Sequence, residues 1–161
     1  MLGRGKYRRA TEKDIPAITK LVSNNLEINV KDKSLGFIQT PYNVRQLIDT
    51  RVLVEADKIL VTAIVHDITE EDENDYNVRL SRTGKYVYSV CTAGEYRKQG
   101  LGREFYKQLQ NEFTGSNLYV AILLEPQPNR VSLGFHEVLG FKLIGKCPWK
   151  GHVYGLFELV Q

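Results

Sequence analysis

Apolar positions along the chain follow two spacings, one typical of helices and one typical of strands. Spacings of three to four residues predict helices at residues 14–25, 42–50 and 101–113, and a last helix from Asn129 to Gly140. Short runs rich in branched and aromatic side chains predict strands at residues 6–10, 52–55, 59–65, 86–92, 117–124, 141–147 and 152–159. Helices and strands alternate in the centre, which indicates an α/β domain with some parallel pairing.

Predicted hairpins at both ends of the chain indicate that the sheet is mixed. The first joins residues 52–55 to 59–65 through Asp57 and Lys58, and the second joins the two final strands. No internal repeat or Pro/Gly/Ser-rich linker interrupts this order, so the sequence predicts one domain over residues 1–161.

The last predicted helix has a recognisable start and end. Asn129 suits the N-cap position, and Gly140 suits the residue that follows a helix. Val131, Phe135 and Leu139 are expected on its inner face. By contrast, the acidic stretch at 67–75 and its continuation to residue 84 are expected to form a loop or a strand extension.

Composition narrows the class of protein. The 161 residues carry a net charge of +3, too small to indicate a nucleic-acid partner. The longest apolar run, residues 118–124, is far below the roughly 20 residues of a membrane helix. The basic start lacks an apolar segment behind it, so no signal peptide is expected. Cys91 and Cys147 stand far apart and form no zinc-type spacing, so we expect no metal and a cytoplasmic protein.

The segment Arg97-Lys98-Gln99-Gly100-Leu101-Gly102 lies between a predicted strand and a predicted helix. A helix start presents N–H groups without intrahelical partners and the positive end of a dipole, so it suits a phosphate. Side chains at the two glycine positions would keep an anion away from this backbone. The chain lacks a Walker loop, and Phe105 stands where a dinucleotide fingerprint has its third glycine. A tight turn without a ligand is the alternative interpretation.

Three motifs together resemble the GNAT N-acetyltransferases. Arg97-x-x-Gly100-x-Gly102 after a Val-rich strand is similar to the family's acetyl-CoA signature. The segment from Asn129 through Ser132 and His136 to Gly140-Phe141 is similar to the family's second motif. Residues 7–14 resemble the usual opening of such domains, and the order of the motifs agrees over nearly the whole chain.

The resemblance implies a GNAT acyl-CoA N-acyltransferase fold, with a twisted mixed sheet splayed in the middle and helices on both faces. It also implies that acetyl-CoA binds as co-substrate. The pantetheine arm would bond the backbone of Val90, Cys91 and Thr92, and Asn129 would reach the arm from the other side. The diphosphate would lie on the turn and the helix start, on residues Arg97, Lys98, Gln99, Gly100, Leu101, Gly102 and Arg103.

The family's reaction transfers acetyl directly from the thioester to a primary amine. His136 stands where most members have Tyr, and we expect it to protonate the leaving thiolate if its charged form is populated near neutral pH. Its alternative is a packing or capping role. Glu125 is the candidate base, one residue closer to Asn129 than the catalytic Glu of some relatives, and its alternative is a surface carboxylate. A water chain could also serve as base. Cys91 is interpreted as a buried strand cysteine rather than a nucleophile.

The acceptor is expected to be a small-molecule amine. His136 to Phe141 resembles the phosphinothricin-acetyltransferase branch, which acetylates amino-acid-like molecules, and a polyamine is the other small acceptor considered. Residues 24–42 and the final hairpin would select it. Two alternatives stay open: a protein lysine or N-terminal acetyltransferase, and a non-catalytic acyl-CoA sensor. Many members of the family are dimers, so a homodimer is an expectation of the resemblance.

Overall fold

A computed structural model describes residues 4–29 and 49–161 of the chain. The helices are α1 (Ile15–Asn29), α2 (Glu70–Tyr76), α3 (Leu101–Glu112) and α4 (Arg130–Val138). The strands are β1 (Lys6–Arg9), β2 (Thr50–Glu55), β3 (Lys58–Asp67), β4 (Lys85–Thr92), β5 (Leu118–Glu125), β6 (Lys142–Trp149) and β7 (His152–Leu159). Short 3-10 turns, Glu12–Asp14 and Gly94–Tyr96, precede α1 and α3.

The chain folds into two compact units. Unit 1 comprises Met1–Val65 and Tyr88–Glu112, and unit 2 comprises His66–Val87 and Phe113–Gln161. Strands β3 and β4 contribute residues to both units. The prediction of one domain over residues 1–161 stays a prediction.

Unit 1 is built on antiparallel strands. β1 pairs with β2 from Lys6 opposite Val54 to Arg9 opposite Arg51, and β2 pairs with β3 around a two-residue turn. Branched side chains on these strands pack with α1, which buries Ile18 and Val22 completely. The cluster consists of Ala10, Ile18, Leu21, Val22, Val52, Ile59, Ile64 and Cys91. Helix α3 adds the buried side chains Leu101, Phe105, Tyr106 and Leu109, so the helix predicted from the apolar spacing at residues 101–113 is confirmed.

Unit 2 contains both parallel and antiparallel strand pairs. β4 is parallel to β5, with Lys85 opposite Leu118 and Tyr86 opposite Tyr119. β7 then pairs antiparallel with both β5 and β6. The α/β class and the mixed sheet are therefore confirmed. The divergence of β4 from β5 beyond this pairing stays a prediction.

The expectation of a loop at residues 67–75 was wrong, because α2 occupies residues Glu70–Tyr76. Thr69 and Asp72 form a capping box: the Thr69 N–H donates to the Asp72 carboxylate, and the Asp72 N–H donates to the Thr69 hydroxyl. The acidic first turn also faces the positive end of the helix dipole. Asn77 ends the helix in a left-handed conformation, with a φ of 51°.

Helix α4 corrects a second expectation. Asn129 caps it as predicted, since its side-chain oxygen accepts from the Ser132 N–H at 3.2 Å. However, Val131 is 67% exposed, and the buried side chain of this helix is His136. The inner face is therefore rotated away from the one that the apolar spacing predicts.

Other boundaries differ by a few residues. α1 extends to Asn29, and β3 extends to Asp67. Most of the predicted helix at 42–50, and most of the predicted acceptor loop at 24–42, lie outside the described residues. Thr50, the last residue of that predicted helix, is instead the first residue of β2.

Candidate functional site

The backbone between β4 and α3 forms a turn that ends at a helix start, where the first N–H groups have no partner within the helix. The first helical hydrogen bond of α3 runs from the Glu104 N–H to the Gly100 carbonyl at 3.0 Å. The N–H groups of Leu101, Gly102 and Arg103 precede this bond, so they point out of the helix start. Such a group of amides, at the positive end of a helix dipole, attracts an anion.

The conformation of the turn explains its sequence. Gly100 has a φ of +77°, and among the described residues a Cβ at this position would meet no heavy atom within 4 Å. Glycine is therefore required there by the backbone angle rather than by a close neighbour in the described part of the chain. Lys98 also adopts the left-handed region, at a φ of 61°, which a non-glycine residue adopts only at a cost. The positive φ at Gly100 is typical of a tight turn, whereas Gly102 lies within helix α3.

Basic side chains surround this turn. Lys98 and Arg103 are exposed, and Arg97 is half-buried, with its Nε directed at the Thr92 carbonyl oxygen at 3.5 Å. Their positive charges add to the helix dipole, so the electrostatic environment of the turn favours an anion.

Hydrogen bonds at both polar atoms hold the side chain of Gln99. Its side-chain oxygen accepts a hydrogen bond from Arg4, and its side-chain nitrogen donates to the Glu95 carbonyl at 3.3 Å. The contact with Arg4 joins residues 95 positions apart. Sequence reasoning missed Arg4, because no local signal points to a contact at that separation.

The strand that leads into the turn carries Val90, Cys91 and Thr92. Cys91 is buried, and burial raises the pKa of its thiol to about 12, although Arg97 opposes this shift. A thiol with this pKa is protonated at neutral pH, so it lacks the thiolate that a nucleophile needs. The interpretation of Cys91 as a structural strand cysteine agrees with this environment.

Unit 2 contains the other three predicted site residues. Glu125 is exposed at the end of β5. Asn129 closes the segment that follows, since its N–H donates to the Leu123 carbonyl at 3.0 Å while its side chain caps α4. The structure thus places Val90, Cys91, Thr92 and residues 97–103 in unit 1, and Glu125, Asn129 and His136 in unit 2.

His136 is the most buried titratable group of α4. Its ring makes edge-to-face contacts with Phe135 and Phe141, at centroid distances of 5.1 and 5.2 Å. Burial lowers its pKa to about 4, and the hydrogen bond to the Ser132 backbone opposes this shift only in part. Nδ1 lies 2.7 Å from the Ser132 carbonyl oxygen, which only accepts, so Nδ1 carries the proton of the neutral ring.

This environment changes the expectation for His136. The sequence-based hypothesis required a charged ring near neutral pH, and a pKa of about 4 leaves the ring almost entirely neutral there. A neutral ring with its proton on Nδ1 has no proton on Nε2 to donate. The packing role, which was the alternative interpretation, agrees better with the burial.

Metal ligation and membrane crossing can be assessed for the described ranges, residues 4–29 and 49–161. Within them, no three His, Cys, Asp or Glu side chains come close enough together to ligate a metal ion. None of the helices in these ranges has the length and apolar character needed to cross a membrane.

Curated relatives are similar to part of the chain. Two proteins named L-methionine sulfoximine/L-methionine sulfone acetyltransferase, from Pseudomonas paraeruginosa and Pseudomonas aeruginosa, are each 29% identical over 72 residues. The match covers 45% of this chain and 42% of each relative. The chain therefore spans less than half the length of these curated relatives.

Solved structures are similar over almost the full length. A GNAT-family acetyltransferase from Streptococcus agalactiae superposes with a TM-score of 0.79 at 18% identity, covering 97% of this chain and 95% of that one. The YncA putative acetyltransferase of Salmonella typhimurium, solved with its cofactor acetyl-CoA, gives a TM-score of 0.66 at 19% identity, covering 98% of this chain and 94% of that one. At these identities the likeness establishes the fold.

The family model described as the acetyltransferase (GNAT) family matches residues 48–141, which is more than half of the chain. The matched segment includes the whole turn between β4 and α3, as well as the Asn-capped helix α4. This chain belongs to the GNAT acetyltransferase family.

Proposed function

We propose that this protein transfers an acetyl group from acetyl-CoA to the primary amine of a small, amino-acid-like molecule. Membership of the GNAT family supports the acetyl transfer. The YncA structure contains acetyl-CoA, which supports the choice of co-substrate. The methionine sulfoximine acetyltransferases, although matched over only 72 residues, support an amino-acid-like acceptor.

The observation that carries the proposal is the turn before α3. A diphosphate is a compact dianion, and the amides of Leu101, Gly102 and Arg103 together with the positive helix end form a suitable cradle for it. No heavy atom of residues 4–29 or 49–161 would crowd a Cβ at Gly100, so these residues leave the anion room to approach the backbone. The exposed charges of Lys98 and Arg103 would add ion pairs at the rim.

In the proposed reaction, the amine first loses a proton, because an ammonium has no lone pair with which to attack. The free amine nitrogen then attacks the thioester carbonyl carbon, and the carbonyl electrons move to oxygen. As the tetrahedral intermediate collapses, the C–S bond breaks and the amide forms. The thiolate of coenzyme A leaves, the nitrogen loses a proton as it becomes the amide nitrogen, and a proton added to the thiolate gives free coenzyme A.

Direct transfer needs no enzyme nucleophile, which agrees with the protonated state of Cys91. The roles of Val90, Cys91, Thr92 and Asn129 as partners of the pantetheine arm rest on the resemblance and remain proposals. Those of Glu125 and His136 also rest on it, and each is tested by its own variant.

Coenzyme binding is tested with Gly102→Glu. A carboxylate at the second position of α3 is compatible with the helix dipole, so the fold should persist, but it would repel the diphosphate. We expect acetyl-CoA affinity measured by calorimetry to fall at least about tenfold. Gly102→Ala separates the effect of charge from that of volume, and Arg82→Gln removes an exposed charge in the turn before β4 as a control. If Gly102→Glu binds as the wild type does, the turn does not hold the diphosphate.

The acceptor is tested by thiol release from acetyl-CoA with a panel of amines. Turnover with methionine sulfoximine, free amino acids or polyamines would support a small-molecule acceptor, with amino-acid-like amines expected to be best. Turnover only with lysine or N-terminal peptides would replace this acceptor with a protein. Binding of acetyl-CoA without turnover on any amine would instead indicate a non-catalytic sensor.

The proposed catalytic roles of Glu125 and His136 are each tested by a substitution. If Glu125 is the base, Glu125→Gln should lower kcat by about a hundredfold or more and leave acetyl-CoA affinity unchanged. If His136 acts on the leaving thiolate, His136→Phe should lower kcat more than coenzyme affinity. An unchanged kcat in His136→Phe would assign this residue to packing alone.

A further inference from the structure

Arg4, which precedes β1, links the turn before α3 to the β2–β3 hairpin within unit 1. Its Nε and Nη2 donate to the two carboxylate oxygens of Glu55 at 2.6 and 3.1 Å. Its Nη1 donates to the side-chain oxygen of Gln99. One guanidinium group therefore joins the end of β2 to the turn, through three hydrogen bonds in its planar fork.

The same guanidinium also contacts an aromatic ring of the turn. The Arg4 Cζ lies 5.6 Å from the ring centre of Tyr96, and the Lys58 ammonium lies 6.0 Å from that centre. Both distances are within the range of cation–π attraction. The pKa of Lys58 is raised, chiefly by a hydrogen bond with Tyr96. Arg4 thus contacts both Tyr96 and Gln99, and Lys58 of the hairpin contacts Tyr96 as well.

Tyr96 and Gln99 lie on either side of Lys98, the non-glycine residue of the turn in the left-handed region. Gly100, which follows Gln99, also has a positive φ. A non-glycine residue stays in this region only when surrounding contacts maintain it. The contacts of Arg4 at residues 96 and 99 are well placed to maintain this conformation, and with it the outward direction of the amides of residues 101–103.

We propose that Arg4 is a positioning residue for the anion-binding turn: it holds the turn in the conformation that presents the helix-start amides. This proposal rests on the proposed function, because it assumes that the amides receive the coenzyme diphosphate. A turn that is ordered before binding loses less conformational entropy when the anion arrives, so the affinity is higher. The charge of Arg4 is already paired with Glu55, which separates this role from direct phosphate binding.

The test compares Arg4→Gln with Arg8→Gln. Arg8 is a matched control, because it also donates two hydrogen bonds to one carboxylate in unit 1, that of Asp14, at 2.7 and 3.1 Å. The other hydrogen bond of Arg8 among the described residues is to the Arg9 carbonyl and not to the turn. We expect Arg4→Gln to raise the Kd for acetyl-CoA by about threefold to tenfold, with kcat at saturating coenzyme within about twofold of wild type. Arg8→Gln should leave both values unchanged.

Two further readouts separate positioning from other roles. A direct phosphate contact would make the salt dependence of binding weaker in Arg4→Gln, whereas positioning leaves that dependence unchanged. In a double-mutant cycle, Gln99→Leu should add less than its single effect on Kd when Arg4 is already Gln. An equal Kd in Arg4→Gln and wild type, a weaker salt dependence, or additive effects in the cycle would each overturn the proposal.

Amide hydrogen exchange tests the turn without coenzyme. Arg4→Gln should speed exchange at residues 98–103, and Arg8→Gln should not. If wild type binds no acetyl-CoA while exchange still accelerates in Arg4→Gln, the proposed function fails and the holding of the turn by Arg4 stands. If wild type binds but exchange is the same in all three proteins, the proposal for Arg4 fails and the proposed function stands.

Discussion

Replacing Glu112 by glutamine should destabilise unit 1 strongly, because Glu112 neutralises a buried arginine. Arg51, on β2, has only 5% of its side chain exposed. Its Nε and Nη2 donate to the Glu112 carboxylate at 2.8 to 3.1 Å, and the Tyr7 hydroxyl donates to the same group at 2.6 Å. Without the carboxylate, the guanidinium would stay buried without its counter-charge.

The magnitude follows from the burial of the two partners. Removing one partner of a fully buried ion pair costs about 3–5 kcal/mol. Glu112 keeps 29% of its side chain exposed, and glutamine retains one acceptor oxygen, so we expect a smaller loss of about 2 kcal/mol. For a chain of this size, that loss corresponds to a Tm lower by about 4–8 °C.

The same pair predicts how stability depends on pH. Burial tends to raise the pKa of Glu112, but the hydrogen bonds from Arg51 and Tyr7 outweigh it and hold the pKa below the ordinary value of 4.5. The unfolded chain therefore binds a proton at higher pH than the folded chain does. The contribution of Glu112 is complete above about pH 4.5 and is lost as the pH falls through the lower folded value. Glu112→Gln should lack this component.

The assay is urea unfolding followed by circular dichroism, with Glu104→Gln as the control. Glu104 lies on the same helix, and its side chain accepts from Gln108 at 3.1 Å rather than from a buried arginine. We expect Glu104→Gln to change the unfolding free energy by less than about 0.5 kcal/mol. If the two variants unfold at the same urea concentration, the pair with Arg51 contributes no more than a surface contact and the reasoning is refuted.

Three further predictions concern unit 2 and the thiols. Burial lowers the pKa of His136 from 6.5 to about 4, so only the unfolded chain takes up this proton as the pH falls from 6.5 to 4. The free energy of unfolding should therefore fall by up to about 3 kcal/mol over this range, and urea titrations of His136→Phe should lack this pH dependence. In native protein, a thiol reagent should label Cys147 and spare buried Cys91, and fast labelling that persists in Cys147→Ser would contradict this. Gly84→Ala should lower Tm, because the added Cβ would lie 2.5 Å from the Tyr119 ring. Gly134→Ala should instead stabilise by about 0.5–1 kcal/mol, because Gly134 lies in helix α4 and no described atom lies within 4 Å of the added Cβ. Equal changes in Tm for the two variants would refute this comparison.

The turn before α3 could be predicted from the sequence because its requirements are local. A positive φ needs glycine at Gly100, a helix start follows it, and bases flank it; all of this lies within seven residues of the printed sequence. The cap at Asn129 is local in the same sense. The identity of the coenzyme came from the resemblance to a family, because the residues of the turn predict an anion but do not identify it.

Contacts between distant residues could not be predicted in this way. Arg4 meets Gln99 across 95 positions, and Arg51 meets Glu112 across 61. The position of Glu112 in the sequence nevertheless indicates that it has a partner. A carboxylate in the last turn of a helix faces the negative end of the dipole, where it is unfavourable, so its presence there indicates a positively charged partner that the sequence does not identify.

Helix α4 shows why a short helix is difficult to orient from its apolar residues. Its nine residues make only two and a half turns, so one misplaced residue changes the inferred face. Val131, Phe135 and Leu139 suggest one face, yet Val131 is 67% exposed and the other two are half-buried, while His136 is 3% exposed. A neutral histidine can replace an apolar residue there, because the Ser132 carbonyl accepts its Nδ1 proton and two aromatic rings cover it. The cost appears only in acid, where the buried ring resists protonation. The pH dependence of stability is therefore the measurement that shows directly which face of α4 is buried.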